Sequence, residues 1–499
     1  MTLAERRAKI VCTIGPATNN PEALEKLIQV GMSVARLNFS HGEHAKHLEV
    51  LLAIREISKR LSAPVTILQD LQGPKVRVGK FQNKEIMLQS DQLVKVTTKK
   101  ILGEEGLIPS DFEHLIESCR EGTRILLDDG LLELEVVRID SADTLTARVI
   151  HGGVLKDRKG MNLPGSNLPI PSMTEKDHQD LLFGIANQVD YVALSFVRTA
   201  QDILELKQII HEKKSQAKVI CKIEMLEAIE HLEEIIRVSD AVMVARGDLA
   251  IEVGQSRLPG LQKRIIRLAN QLGKPVITAT QMLDSMVENP RPTRAEITDV
   301  ANAVLDGSDA LMLSAETASG KFPYACVATM HEIIVEVERN QEKYNKLSLD
   351  DQFLSVPASI GASSCLSAMK LNAKAIVCLT TTGKTAQIIA SYRPKSRIIA
   401  VTNELDVLNQ LELVWGMQTL HIAQYGSFDD VLQRVEKVLI QYGLAKVGDR
   451  IVITLGLPVE QNPKTNTMFV HELRDLAYSR QSDESIPYRL RKVSSRPLD

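Results

Sequence analysis

The chain has 499 residues, 44% hydrophobic and 25% charged, which argues against a single hydrophobic core and excludes intrinsic disorder as a description of the whole. Its 60 Lys and Arg residues against 63 Asp and Glu residues give a formal net charge of -3, and only 4% of the residues are aromatic. This composition disfavours nucleic-acid binding, which needs an excess of positive charge and stacking side chains.

Membrane segments and disulfide bonds are not expected either. No apolar run reaches the roughly 18 residues that a membrane helix needs, and the N-terminus is charged before its first apolar stretch. The six cysteines lie far apart, without a Cys-x-x-Cys pair or a histidine spacing suited to zinc. We therefore expect a cytoplasmic protein with free thiols and no membrane partner.

In chain order, the dominant pattern is a short apolar run followed by an amphipathic stretch with helical spacing, which indicates βα units. Eight such runs occupy residues 9–15, 33–40, 65–71, 191–196, 218–224, 241–249, 275–282 and 310–316. Eight near-continuous apolar strands with intervening helices predict an α/β protein with a (β/α)8 TIM barrel. A large open α/β sheet is the alternative.

The stretch between the third and fourth runs has hairpin signals instead. Two strand-like segments, 125–128 and 131–139, flank the turn dipeptide Asp129-Gly130, and the second alternates apolar and acidic residues. We predict a small β domain inserted into a barrel loop, with Pro164 and Gly165 at a plausible hinge.

A third region follows the eighth unit. A helical stretch from Tyr324 to about Leu347 leads to further strand candidates at 374–380, 397–402, 417–423, 450–457 and 467–473. They predict an open C-terminal α/β domain. The expected boundaries are 1–75 and 173–340 for the barrel, 76–172 for the insertion, 341–478 for the C-terminal domain and 479–499 for a tail.

Polar clusters at the strand ends mark the expected active site, since the carboxyl ends of barrel strands carry catalysis. Side chains two apart on a strand share a face, so Lys222 and Glu224 both point to the barrel axis. Glu224 and Asp248 could hold magnesium, while Lys222 and Arg36 would face a phosphoryl group. An internal salt-bridge layer is the alternative.

Two glycine-containing segments add candidate sites. The main chain at Gly247 could receive a small carboxylate, although a tight loop explains the glycine equally well. In the last domain a strand is followed by a phosphate-nest-like loop that could also be a simple helix cap. Its residues are Thr380, Thr381, Thr382, Gly383, Lys384 and Thr385.

Several of these motifs, in this order, resemble the pyruvate kinase family. They lie at residues 36–42, 222–224, 245–248, 278–282, 289–296 and 313–317. The resemblance runs from about Lys9 to Leu473 and includes the insertion, which it identifies as a small β-barrel lid. It implies magnesium-dependent phosphoryl transfer from phosphoenolpyruvate to ADP, giving pyruvate and ATP in glycolysis. Mn²⁺ could replace Mg²⁺.

The resemblance also implies roles for individual residues. Glu224 and Asp248 match the metal ligands, Lys222 and Thr280 match the residues of phosphoryl and proton transfer, and Arg36 would contact the phosphoryl group. Gly247, with Asp248 and Thr280, would bind the substrate. The nucleotide would lie along Asn38, His41, Arg77 and Lys159, and the proton-transfer network would include Ser314 and Glu316.

One departure concerns the monovalent cation. Many family members hold potassium near Asn38, Ser40, Asp70 and the next residue, here Leu71, and have a glutamate where this chain has Lys75. We expect potassium to be unnecessary because the Lys75 ammonium supplies the fixed charge.

The family also suggests an effector and an oligomer. The loop at 380–385 matches the family's phosphate site, but its partner loop at 456–464 lacks the Trp and Arg of members regulated by fructose 1,6-bisphosphate. We therefore expect a sugar monophosphate or AMP as effector, and a homotetramer. The rival interpretations are a magnesium-dependent lyase or aldolase acting through a pyruvate enolate, and a catalytically silent barrel that serves as a scaffold.

Overall fold

A computed structural model of the chain describes residues 2–3, 6–166, 169–339, 355–422, 427–458, 464–474 and 492–493. Four expectations fall wholly or partly outside these ranges. They concern the end of the helical stretch after residue 339, the last residue of the strand candidate at 417–423, residues 459–463 of the partner loop, and the tail apart from residues 492–493.

The N-terminal part contains the first three barrel strands. Its elements are β1 (Thr2–Leu3), β2 (Lys9–Ile14), α1 (Pro21–Val30), β3 (Val34–Asn38), α2 (His44–Leu61) and β4 (Thr66–Asp70). Helix α1 begins where the Asn20 side chain accepts a hydrogen bond from the Ala23 amide at 2.9 Å, with Pro21 at the first helical position. It ends at Gly31, whose φ of +130° would strain any other residue.

The insertion consists of strands. They are β5 (Glu85–Leu88), β6 (Leu93–Thr97), β7 (Leu107–Pro109), β8 (Arg124–Leu127), β9 (Leu132–Ser141), β10 (Thr144–His151), β11 (Gly153–Lys156) and β12 (Met161–Asn162). Six form a sheet in the order β12-β8-β9-β10-β6-β7, and β11 pairs with β5. The predicted hairpin is present, because Leu127 pairs with Leu132 across the turn. Leu132, Leu134 and Val136 of β9 are buried in the insertion's own core.

The remaining barrel strands alternate with helices. The elements are α3 (Glu175–Ala186), β13 (Tyr191–Leu194), α4 (Ala200–Glu212), β14 (Lys218–Ile223), α5 (Leu226–Glu230), α6 (Leu232–Val238), β15 (Ala241–Ala245), α7 (Arg246–Val253), α8 (Leu258–Gln271), β16 (Val276–Ala279), α9 (Arg294–Asp306), β17 (Ala310–Leu313), α10 (Ala315–Ala318) and α11 (Pro323–Arg339).

The predicted TIM barrel is confirmed. Strands β13-β14-β15-β16-β17-β2-β3-β4 form a closed, parallel barrel, so all eight carboxyl ends meet at one face. Its interior is filled by side chains such as Val11, Leu68, Tyr191 and Met243. Several strands end earlier than predicted. Residues 246–248 and 315–316, which we placed at strand ends, lie in the first turns of α7 and α10.

The C-terminal α/β domain is also confirmed as an architecture. Its elements are α12 (Val356–Lys370), β18 (Ala375–Leu379), α13 (Lys384–Ser391), β19 (Arg397–Thr402), α14 (Leu405–Gln410), β20 (Met417–His421), α15 (Phe428–Gln441), β21 (Arg450–Leu455) and β22 (Thr467–Glu472); β23 (Lys492–Val493) pairs with β1. The sheet order is β20-β19-β18-β21-β22, with only β22 antiparallel. Leu413 of this domain packs into the barrel interior.

Two expectations drawn from composition can be compared with the structure. All six cysteines are free, as predicted. Among the described helices, none combines the length and apolar character that crossing a membrane requires.

Candidate active site

Four charged side chains form a continuous network at the carboxyl end of the barrel. Arg36 lies on β3 and donates from Nε to Oδ2 of Asp70 on β4 at 2.7 Å. Lys222 on β14 lies 3.3 Å from Oδ1 of Asp70 and 2.8 Å from Oε1 of Glu224. All four side chains are at most 12% exposed. The structure therefore brings Arg36, Lys222 and Glu224 together, as strand alternation predicted for the last two.

Burial and charge act against each other on these groups. Burial alone would raise the pKa of Asp70, but the charges of Lys222 and Arg36 outweigh it and hold that pKa below its ordinary value. Burial disfavours the Lys222 ammonium, yet Asp70 and Glu224 outweigh this effect and raise its pKa. Asp70 is consequently an anion and Lys222 a cation at neutral pH.

Glu224 and Asp248 suit a divalent cation. Burial raises the pKa of Glu224, Lys222 opposes that rise, and the like charge of Asp248 adds to it. Asp248 lies in the first turn of α7. No group of three His, Cys, Asp or Glu side chains in the described ranges could hold a metal. Two neighbouring carboxylates are the donor set that a magnesium ion with water and substrate ligands would complete.

Thr280 and Gly247 are in direct contact. The Thr280 hydroxyl accepts a hydrogen bond from the Gly247 amide at 3.0 Å and donates to the Ala279 carbonyl at 2.7 Å. Thr280 and Gln281 have φ values of +67° and +52°, in the left-handed region that such residues avoid. Strain of this kind persists where surrounding contacts enforce it, as at functional sites.

The contacts that enforce it come from Arg246. Its guanidinium is buried, and Nη1 donates hydrogen bonds to both carboxylate oxygens of Asp299, at 2.8 and 2.7 Å. It also donates to the carbonyls of Ala279 and Thr280, at 3.1 and 2.6 Å. Arg246 thereby holds the end of β16 in place beside α7.

Ser314 and Glu316 are in contact through a hydrogen bond from the Ser314 main-chain amide to the Glu316 side chain. Glu316 is buried and accepts hydrogen bonds from the amides of Ser314, at 2.6 Å, and Leu283, at 3.1 Å. Burial raises its pKa, although these amides oppose the rise. The Ser314 hydroxyl is buried and has no hydrogen-bond partner in the described part of the chain.

The predicted nucleotide residues fall into two groups. Asn38 ends β3, and its side chain accepts a hydrogen bond from the Ser40 amide at 3.1 Å. The carbonyl of the exposed residue His41 is bonded to His47, at 2.9 Å, and Phe39 and His47 stack with ring centroids 4.2 Å apart. The loop that follows β3, with Asn38 and His41, is thus held by contacts within the barrel.

The second group, Arg77 and Lys159, lies within the insertion, and Lys75 directly precedes it. Lys75 Nζ lies 3.9 Å from Asp129, Lys159 Nζ lies 2.7 Å from Asp128, and Arg77 donates to the Arg158 carbonyl at 3.0 Å. Lys75 is thus placed beside the hairpin turn of the insertion, whereas Arg36 and Lys222 compensate the charge of Asp70. Leu71 is buried, and its amide bonds to β13.

The loop at 380–385 forms a turn that leads into α13, and no side chain that the structure describes caps the helix. The Thr380 hydroxyl accepts a hydrogen bond from the Gly383 amide at 2.9 Å, and α13 starts at Lys384. The Thr385 hydroxyl lies 2.6 Å from that of Thr465 and is buried, while Thr382 and Lys384 are exposed. The hydroxyls of Thr380 and Thr385 therefore have protein partners.

Sequence reasoning missed several residues of the site. The Thr13 hydroxyl accepts from Arg36 at 2.9 Å, the Ser195 hydroxyl accepts from Lys222 at 2.7 Å, and the Phe196 amide donates to Glu224 at 2.8 Å. Ser195 and Phe196 directly follow β13, so their place at a strand end was the available signal. Arg246 lies within the family motif at 245–248, but its residue type alone did not indicate a structural role.

The chain was compared with known proteins. Two family models match it, "Pyruvate kinase, barrel domain" over residues 5–327 and "Pyruvate kinase, alpha/beta domain" over residues 358–471. Pyruvate kinase of Geobacillus stearothermophilus is 44% identical over 476 residues, which are 95% of this chain and 81% of that protein. Pyruvate kinase of Staphylococcus aureus strain MRSA252 is 45% identical over 474 residues, 94% of this chain and 81% of that protein.

A solved structure is similar as well. The crystal structure of a pyruvate kinase from Cryptosporidium parvum superposes with a TM-score of 0.88 at 37% sequence identity. The match covers 95% of this chain and 98% of that one, so it includes the barrel, the insertion and the C-terminal sheet.

Proposed function

Because the chain belongs to the pyruvate kinase family of phosphotransferases, we propose that it transfers the phosphoryl group of phosphoenolpyruvate to ADP with Mg²⁺ and forms pyruvate and ATP in glycolysis. Mn²⁺ is a possible substitute for Mg²⁺. The observation that carries the proposal is the buried network of Arg36, Asp70, Lys222 and Glu224 at the carboxyl end of the barrel. Its two cations are fixed in place before a phosphoryl anion arrives, which favours electrostatic stabilisation without reorganisation.

Each residue has a role in this proposal. Lys222 and Arg36 offset the negative charge of the transferring group, and Glu224 and Asp248 hold the divalent cation, which acts as a Lewis acid when bound. The Gly247 main chain and the Thr280 hydroxyl face the substrate carboxylate and the protonation step. The Ser314 hydroxyl and the Glu316 carboxyl belong to the proton-transfer network.

We propose that the insertion is a lid over this site. A Cβ atom on Gly130, in its hairpin turn, would lie 3.8 Å from Cγ1 of Ile251, so the turn lies against the helix that carries Asp248. Lys75, Arg77 and Lys159 are at this end of the insertion, and with Asn38 and His41 they would line the nucleotide site. Closure would exclude water, which could otherwise take the phosphoryl group.

The decisive test of the metal site is Asp248→Asn. Loss of one carboxylate ligand should lower the turnover number by two orders of magnitude or more and weaken the dependence on Mg²⁺, as expected when metal ligation is central to phosphoryl transfer. The measurement is steady-state pyruvate formation from phosphoenolpyruvate and ADP across a Mg²⁺ titration. Asp306→Asn, on α9, serves as a control. Near-normal turnover in Asp248→Asn would mean that the metal site is misplaced.

Independence from potassium is a separate proposal. It is supported by the long ion pair of Lys75, whose ammonium lies 3.9 Å from the exposed Asp129. Breaking such an exposed pair costs little free energy, so Lys75 is free to move when substrate anions bind. We expect equal activity in KCl and in a bulky organic cation salt of the same ionic strength. Many-fold activation by KCl would exclude the role of Lys75 and leave the kinase activity in place.

Regulation and assembly are proposed from the family. Lys384 is exposed at the start of α13, where unpaired helix amides favour an anion, which supports a phosphorylated effector at residues 380–385. Activation assays with AMP and with glucose 6-phosphate test that proposal. Light scattering of the purified protein tests the homotetramer.

A further inference from the structure

Two residues that directly follow β13 hold both charged groups of the β14 end. The Ser195 hydroxyl accepts from Lys222 at 2.7 Å and donates to the Leu71 carbonyl at 2.7 Å. The next amide, that of Phe196, donates to Oε2 of Glu224 at 2.8 Å. Because Lys222 is bound to the other carboxylate oxygen, the Glu224 carboxylate is fixed from two sides.

The backbone of Phe196 is strained. Its φ is +55°, in the left-handed region, which is an outlier for a bulky residue. The residue that donates the hydrogen bond to Glu224 is therefore also the one with the strained backbone. An observed outlier of this kind motivates a functional hypothesis.

The Phe196 ring lies against the chain that leaves the barrel for the insertion. A Cβ atom built on Gly73 would come within 2.7 Å of the Phe196 ring and 2.9 Å of Ser195 Cβ. The Gly73 amide is held in turn by Oδ1 of Asp177, at 3.1 Å. Because the two residues are so closely packed, a displacement of the backbone at Gly73 would also displace the Phe196 ring.

We propose that Phe196 is a positioning residue, which couples the orientation of the Glu224 carboxylate to the Gly73 connection of the insertion. The inference rests on the proposed role of Glu224 as a metal ligand. Groups that orient a metal ligand from behind commonly change metal affinity 10- to 100-fold when they are altered. Phe196 would achieve this through its main-chain amide and its ring.

The first test compares Phe196→Val with Phe196→Asn. Both remove the ring, but Asn tolerates a positive φ whereas β-branched Val does not. The measurement is Mn²⁺ binding to the substrate-free protein, from the electron paramagnetic resonance signal of free Mn²⁺. We expect the dissociation constant of Phe196→Val to rise about tenfold or more above that of Phe196→Asn. Equal affinities in the two variants would overturn the backbone role.

The second test changes the connection at Gly73 instead of Phe196. It therefore also tests the proposed coupling if Phe196→Val fails to fold. Gly73→Ala and Gly165→Ala have nearly the same backbone strain, with φ values of +69° and +71°, but a Cβ at Gly165 meets nothing within 4 Å. Gly73→Ala should weaken Mn²⁺ binding and Gly165→Ala should not. Equal effects of the two substitutions would contradict the coupling.

Asp248→Asn separates this inference from the proposed function. If Asp248→Asn leaves Mn²⁺ binding unchanged, the metal site itself is wrong and both proposals fail. If Asp248→Asn weakens binding while the Phe196 and Gly73 pairs show no difference, the metal site stands and the positioning role alone is overturned.

Discussion

At the scale of single residues, the site is a compensated cluster of two cations and two anions. Arg36 and Lys222 neutralise Asp70 and Glu224 within a buried network whose contacts run from 2.7 to 3.3 Å. Taking such charges out of water is costly, and removing one partner leaves an uncompensated charge. Burial of this cluster is therefore not in itself a gain in stability, and every single substitution within it should affect folding as well as the proposed catalysis.

A different carboxyl group contributes to the pH dependence of stability. Glu252 lies on α7, one turn beyond Asp248, and its buried Oε2 atom has no hydrogen-bond partner in the described part of the chain. Burial, followed by repulsion from Glu227, raises the pKa of Glu252 to about 7, although the main-chain amides of Gly165 and Leu226 oppose the rise. The neutral form is thus favoured by folding.

The sign of the effect follows from the raised pKa. The stability that Glu252 contributes is fully present below its ordinary pKa near 4.5 and is lost as the pH rises to about 7. Glu252→Gln is always neutral, so it should stabilise the protein at pH 8 by on the order of 2–3 kcal/mol and change little at pH 5. Urea unfolding at the two pH values measures this difference.

A neighbouring carboxylate provides the control for this prediction. Glu230→Gln removes an exposed carboxylate on α5, in the same region, and should give no comparable gain at pH 8. A Glu252→Gln variant that is equally stabilised at both pH values would show that packing, rather than protonation, is responsible.

The sequence predicted part of the site and missed the rest for a physical reason. Lys222 and Glu224 could be paired in advance because strand alternation puts both on one face. Ser195 and Phe196 could not, because their contribution is a hydroxyl and a main-chain amide directed across to the next strand. Such contacts depend on the backbone dihedral angles at a strand end, which the apolar pattern of the strand does not specify.

At the scale of elements, strand existence was predicted better than strand ends. The run at 241–249 is a strand only to Ala245, after which α7 begins at Arg246. Apolar residues resume at Leu249 after the first turn of this helix, so hydrophobicity alone does not mark the boundary. Asp248 then lies in the first turn of α7, where the helix dipole stabilises a negative charge.

Helix α3 follows the insertion, and its Asp177 side chain contacts both segments that connect the insertion to the barrel. The Asp177 side chain completes a capping box of α3, accepting from the Thr174 amide at 2.8 Å, and its other oxygen accepts from the Gly73 amide at 3.1 Å. Asp177→Ala should cost about 1–2 kcal/mol through the lost cap. It should also speed amide hydrogen exchange at residues 73–75 and 172–174, as measured by mass spectrometry.

The capping box of α9 gives a matched control. Glu296 caps that helix together with Thr293, far from the insertion along the chain. Glu296→Ala should lose a similar amount of stability without changing exchange at residues 73–75. If both variants changed that exchange equally, general destabilisation would explain the result.

At the scale of the whole molecule, the C-terminal domain covers the end of the barrel opposite the site. Leu413 enters the barrel interior, the Tyr191 hydroxyl donates to the Gln410 carbonyl at 3.2 Å, and Lys9 donates to the Met417 carbonyl at 2.8 Å. Tyr191 and Lys9 begin their strands, which identifies this as the amino-terminal face. The sequence predicted two α/β units but contained no periodic signal for which faces would meet.

Buried ion pairs link the two units, and that of Arg393 with Asp309 is bidentate. Arg393, which follows α13, binds both oxygens of Asp309 before β17, at 2.9 and 3.1 Å, and its guanidinium lies 4.9 Å from the Trp415 ring. Both charged side chains are 5% exposed. Because an uncompensated Asp309 would remain buried, Arg393→Met should lower the free energy of unfolding by about 3–5 kcal/mol.

The chain has a built-in probe for this prediction, since Trp415 is its single tryptophan. Urea unfolding followed both by tryptophan fluorescence and by circular dichroism should show the fluorescence transition of Arg393→Met shifting to lower urea concentration, at or before the loss of helix. Arg450→Met, which removes an exposed 3.4 Å pair with Glu472, should shift neither transition by more than about 1 kcal/mol. Equal shifts in Arg393→Met and Arg450→Met would mean that the Asp309 pair does not hold the C-terminal domain to the barrel, and that apolar contacts such as that of Leu413 do so instead.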